Sequence, residues 1–161
     1  MVLGLLTTSL LSIISFVISV YLGFTMDGAH VRQHVLFGSF ATFLVTLAQN
    51  MTMFYFIDTG KQVKDLVIDH SITEGFVQRT KVFKAKVFPP ATWAMLFTMA
   101  TFILGGGVHT KIIPAWVHLL LASAAFFFNV QAFFREAKYM IEHNMLWLEL
   151  EKRLQSTPSS K

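Results

Sequence analysis

Histidine and aspartate residues beside the apolar segments are the side chains of this sequence best suited to bind a metal or a cofactor. Asp27, His30 and His34 are spaced i, i+3 and i+7, so they share one face if a helix begins before Val31. Imidazole and carboxylate groups are ligands of Zn, Cu and Fe. One interpretation is therefore a transition-metal site at one rim of the protein, with ligands drawn from Asp27, His30, His34, His109 and His118.

A second interpretation concerns His34 and His118 alone, because imidazole is a common axial ligand of haem iron. Small residues at helical spacing follow both histidines and would let a flat macrocycle enter between two helices; they are Gly38, Ala41, Ala122 and Ala125. From the apolar runs we expect His34 to lie about two helical turns nearer the rim than His118. That offset counts against haem, since two axial ligands must be level.

A second polar group is predicted nearer the other end of the same helices. Gln49 and Asn50 are expected at about the depth of Asn129, with Arg135 just beyond them. A buried amide without a partner costs a few kcal/mol, roughly 1–3 by mutational data, so we expect these side chains to pair with one another. They are also candidates for holding a quinone carbonyl or a haem propionate.

Four apolar runs must position all of these residues. Each is about long enough, at roughly twenty residues, to cross a hydrocarbon core of about 30 Å. Apolar residues make up 54% of the chain and charged residues only 14%, which is typical of a membrane protein. The sequence predicts an all-α integral membrane protein of one domain, an antiparallel bundle of four transmembrane helices over residues 3–24, 34–57, 89–107 and 113–135.

Basic residues indicate the orientation of these spans. Of the 13 Lys and Arg residues, all but Arg32 and Lys111 lie after the second run or after the fourth. Cytoplasmic segments carry such an excess, so we expect both termini to face the cytoplasm in a bacterial inner membrane. The basic segment 58–88 is predicted to be a cytoplasmic loop, with Gly60 ending the second helix and Pro89 and Pro90 opening the third.

The segment 136–161 is predicted to be a cytoplasmic amphipathic helix with a short tail, continuing directly from the fourth span. A basic run beside membrane spans favours contact with lipid headgroups over nucleic acid. With no cysteine in the chain, disulfides and thiolate metal sites are excluded.

Three functional interpretations remain open at this point. The chain is expected to be a small subunit of a larger membrane complex, respiratory or electron-transferring, that binds haem b or quinone within the bundle. The alternatives are the metal site at the outer rim and a structural subunit without any cofactor. The sequence contains no catalytic acid–base pair, phosphate loop or nucleophile setting that we identify, so we do not expect catalysis by the chain alone. A transporter is disfavoured because no inward carboxylate is predicted within the spans.

Overall fold

A computed structural model describes residues 2–25, 31–72 and 75–156. The described chain is all helical, with four α-helices that we number α1 to α4; they span Val2–Phe24, Val31–Asp69, Phe76–His109 and Ala115–Ser156. All four are long and apolar enough to cross a membrane, judged by length and composition.

Neighbouring helices run in opposite directions. Along α1, Ser9 contacts Glu136 of α4 and Phe16 contacts Phe126, so the contacts on α4 move backward as α1 advances. The same reversal relates α3 to α4, through the pairs Arg79 with Glu149, Thr98 with Asn129, and Gly105 with His118. The helices pack in the order of the sequence, α1 on α2, α2 on α3 and α3 on α4, and α1 also contacts α4.

The segment 58–88 is not a loop, and this prediction is wrong. α2 continues to Asp69 and α3 already begins at Phe76. The physical reason is an apolar stripe at helical spacing, formed by Phe76, Phe83 and Val87, which is buried against the end of α4 rather than lying on a membrane surface. Because α2 has 39 residues, it is about 58 Å long, roughly twice the thickness of a hydrocarbon core. Residues 58–69, about a third of the helix, therefore extend beyond the apolar part.

The predicted helix ends are also corrected. Gly60 lies inside α2, where a Cβ would meet Lys84 Nζ at 3.3 Å. The absence of a side chain at Gly60 therefore lets α3 pack close to α2. The end of α2 is formed by Ser71, which has a φ of 50°. There the Ile72 N–H donates to the Val67 carbonyl and the Ser71 N–H donates to the Ile68 carbonyl. This is the pattern of a Schellman cap.

Two prolines, Pro89 and Pro90, lie inside α3 rather than at its start. Proline lacks the N–H that would bond the carbonyl four residues earlier, so the carbonyl of Lys86 has no helical donor from Pro90. Arg135 supplies a donor instead, since its Nη1 donates to the Lys86 carbonyl at 3.3 Å. The continuation of α4 as a helix beyond residue 135 is confirmed.

Candidate functional site: a histidine pair and a buried carboxyl

His34 and His118 lie against each other. Their ring centroids are 6.1 Å apart, and the ring planes are inclined at 84°. His34 is the fourth residue of α2 and His118 is the fourth residue of α4, since these helices begin at Val31 and Ala115. The predicted offset of two turns is therefore wrong, and the objection to a shared ligand falls with it.

His34 is held through one of its two ring nitrogens. Its Nδ1 is 2.8 Å from the Ser19 carbonyl oxygen of α1. Because a carbonyl can only accept, Nδ1 carries the hydrogen, and in the neutral ring Nε2 then keeps its lone pair. A metal-binding histidine commonly donates its other N–H to a backbone carbonyl in this way. A Cβ on Gly23 would lie 3.0 Å from His34 Cε1, so the ring rests on the bare backbone of α1.

His118 has one unpaired nitrogen. Its Nδ1 is buried and has no hydrogen-bond partner, although the Thr101 backbone of α3 lies close to the ring. The ring rests on α3 at Gly105, where a Cβ would lie 3.1 Å from Cε1. An unpaired buried nitrogen costs free energy, and a bound ligand would remove that cost. The two imidazoles are thus fixed by glycine faces on opposite neighbours, α1 and α3.

The spacing of the two rings fits a trans pair of ligands. Imidazoles bound to one metal at about 2.0–2.1 Å have ring centroids roughly 6 Å apart when they are trans and roughly 5 Å apart at a tetrahedral angle. The observed 6.1 Å equals the trans distance and is also the distance of an ordinary edge-to-face ring contact.

The remaining rim residues do not complete a metal site in the part of the chain described. His109 is exposed at the end of α3, and Asp27 and His30 lie outside the described residues. Within residues 2–25, 31–72 and 75–156, there is no group of three or more His, Cys, Asp or Glu side chains that could hold a metal ion.

The inner polar residues have local partners rather than one another. Asn129 Nδ2 donates to Thr98 Oγ1 at 3.0 Å and to the Ala125 carbonyl at 2.8 Å. Asn50 Nδ2 donates to the Thr46 carbonyl at 2.8 Å. Arg135 bonds the Lys86 carbonyl described above. Asn129 is eleven residues, or about 16 Å, along α4 from His118, which is too far for contact with a group centred between the two histidines.

A buried carboxyl that the sequence analysis missed lies at this inner level. Glu136 of α4 is fully buried, and its Oε2 accepts a hydrogen bond from Ser9 Oγ of α1 at 3.0 Å. Gln49 and Thr52 of α2 approach the same carboxyl group. Glu136 lies one residue beyond the predicted fourth span of 113–135, so the prediction that no inward carboxylate lies within the spans stays a prediction. A signal was present, since Glu136 continues the inward stripe His118, Ala122, Ala125, Asn129 and Ala132 at steps of three and four.

Comparison with protein-family models, with curated proteins and with solved structures found no significant match to this chain.

Proposed function

We propose that this chain is an integral membrane protein that binds one haem b between His34 and His118 and passes electrons to other subunits of a membrane complex. Its four helices would form an antiparallel transmembrane bundle, with both termini on the cytoplasmic side and the haem near the outer side. The observation that carries this proposal is the level, nearly perpendicular pair of imidazoles 6.1 Å apart.

The membrane part of the proposal rests on the surface of the helices. Large apolar side chains point outward along all four, among them Leu11, Phe43, Ile103 and Phe127. Such a surface is stable in lipid and is an aggregation hazard in water. The basic residues cluster on the ends that α2 and α3 extend beyond the apolar part, which favours a cytoplasmic position for those ends.

The number of protein ligands favours haem over a bare metal ion. A structural zinc site needs about four protein ligands and a catalytic one about three, whereas a macrocycle supplies the four equatorial nitrogens of haem iron and leaves only two axial positions. His34 and His118 would hold the iron at these two positions. The hydrogen bond from His34 Nδ1 to Ser19 would orient the ring and raise its basicity as a ligand. Haem would supply one-electron chemistry, and the chain would supply binding, orientation and exclusion of water.

The experiment is a reduced-minus-oxidised absorption spectrum of the detergent-purified full chain, taken with haem and metal analysis of the same sample. We expect α and Soret bands and one haem per chain. His34→Ala and His118→Ala should each remove the low-spin spectrum, whereas His109→Ala, at an exposed position, should leave it unchanged. A purified chain that neither contains haem nor takes up added haemin would contradict the proposal, as would stoichiometric Cu or Zn without porphyrin.

A further inference from the structure

Glu136 and three other polar side chains, from three helices in all, form one buried group. Glu136 and Thr52 are 0% exposed, and Ser9 and Gln49 are 1% exposed. Glu136 lies on α4, Ser9 on α1, and both Gln49 and Thr52 on α2. The hydroxyl of Ser9 donates a hydrogen bond to the Glu136 carboxyl at 3.0 Å. This group, which we call the Glu136 cluster, is therefore sealed from solvent by three helices.

Three oxygens of the Glu136 cluster lack a hydrogen-bond partner. They are Glu136 Oε1, Gln49 Oε1 and Thr52 Oγ1, and each is buried. Unpaired buried oxygens are rare because each loses its hydrogen bonds to water without gaining one in the protein. Three of them around one carboxyl point to something that binds oxygen and lies between them.

A charge on the Glu136 carboxyl would require compensation. The ion pairs among the described residues join Arg79 to Glu149 and Lys138 to Glu142, and neither includes Glu136. An ionised carboxylate at such depth without a countercharge is strongly unfavourable. A monovalent cation would balance its single charge, whereas a divalent ion would leave one positive charge uncompensated in a low-dielectric site.

We propose that Glu136, Ser9, Gln49 and Thr52 bind one sodium ion. All four side chains offer the oxygen ligands that hard cations prefer. A metal cation can contact several acceptors at once, whereas a proton on Glu136 Oε1 would pair that oxygen with one further acceptor. The proposal is independent of the haem, since Gln49 is fifteen residues, or about 22 Å, along α2 from His34.

The bound ion would join α1, α2 and α4 at one level of the protein. α1 and α4 are bonded directly at this level by Ser9 and Glu136. An open groove lined by residues that include Val2, Tyr55, Thr59 and Asn144 lies at the same end of the helices. Thr59 is seven residues, or about 10 Å, along α2 from Thr52.

Sodium binding is tested on the detergent-purified full chain at pH 8, in NaCl or in choline chloride of equal ionic strength. We expect one ²²Na⁺ bound per chain and a saturable rise in Tm of roughly 5 to 10 °C at a hundred times Kd. Glu136→Gln should abolish both effects. Glu151→Gln is the matched control, since it neutralises an exposed carboxylate on the same helix and should change neither.

Thr52→Val keeps the test decisive if Glu136→Gln does not fold. This substitution preserves the shape of the side chain and removes an unpaired hydroxyl. We expect it to raise Tm in choline chloride and to weaken sodium binding about tenfold. Equal Tm values in sodium and choline, or sodium binding that survives Glu136→Gln, would overturn the proposal. A response to pH through Glu136 without any response to sodium would also overturn it, because the carboxyl would then hold only a proton.

Discussion

Gly105→Ala is expected to displace the imidazole of His118, and Gly106→Ala, one residue further along α3, is its matched control. A Cβ on Gly105 would lie 3.1 Å from His118 Cε1 and 3.5 Å from Nδ1. Optimal carbon contacts are at about 3.5–4.0 Å, so the ring must move by about 0.5 Å. A Cβ on Gly106 would meet nothing within 4 Å.

Two opposing effects set the magnitude. Replacing glycine by alanine inside a helix stabilises it by about 0.8–1.0 kcal/mol, and Gly106→Ala should retain this gain in full. Gly105→Ala receives the same gain but also suffers overpacking, which typically costs about 1–3 kcal/mol. The two variants should therefore differ by about 1–3 kcal/mol. At roughly 2–4 °C per kcal/mol, Gly106→Ala raises Tm by a few degrees and Gly105→Ala falls clearly below it.

The assay is thermal unfolding of both variants and of the unsubstituted chain, followed by circular dichroism in one detergent. A haemin titration of the same three proteins is the second readout. Gly105→Ala should bind haem more weakly, because the displaced ring no longer lies on the axial direction. The reasoning is refuted if the two variants show the same change in Tm and the same haem affinity, since His118 would then not rest on Gly105.

The remaining predictions concern the inner half of the protein and the helical extensions. Arg135→Ala should lower the free energy of unfolding by about 1 kcal/mol. The loss should be smaller in a Pro90→Ala background, because the alanine restores the helical N–H for the Lys86 carbonyl. If the two substitutions have additive effects in this double-mutant cycle, Arg135 does not replace that donor. Burial lowers the pKa of His143 to about 4, whereas the unfolded chain titrates near 6.5. The free energy of unfolding should consequently fall as the pH drops from about 6.5 towards 4. The fall should be less steep in His143→Phe. Identical pH profiles for the unsubstituted chain and for His143→Phe would contradict a buried neutral ring at His143. Asn129→Leu should change Tm by no more than a few degrees and leave any haem spectrum unaltered, because the Thr98 hydroxyl still donates to the Ala94 carbonyl; a lost spectrum would mean that the inner and outer sites are coupled.

The apolar runs predicted four helices correctly because a stretch of about twenty apolar residues has few other stable structures in lipid. The segment 58–88 was misread because its many basic residues suggested a solvated loop. Only the exposed faces of α2 and α3 carry these charges, while Phe76, Phe83 and Val87 form a buried stripe between them. Whether such a stripe packs on protein or on lipid depends on which segment lies beside it, here the end of α4, and no local pattern reveals that pairing.

The two sites were predictable to different degrees. The histidine pair was proposed from residue type alone. The relative height of the two histidines along the helices could not be derived, because it depends on where α2 and α4 begin. Glu136 was overlooked because the span was ended at Arg135, the first charge after the fourth apolar run. Arg135 reaches across to the Lys86 carbonyl of α3, while the next side chain turns inward. On a helix, neighbours in sequence point about 100° apart, so one charge does not fix the environment of the next residue.

The most direct test of the haem proposal is electron paramagnetic resonance of the oxidised, haem-loaded chain. Two imidazole ligands inclined at 84° should give a low-spin ferric signal of the strongly anisotropic kind produced by nearly perpendicular axial rings. His118→Ala should convert it to a high-spin signal, and His109→Ala should not. A high-spin signal in the unsubstituted chain would contradict the assignment of His34 and His118 as the two axial ligands.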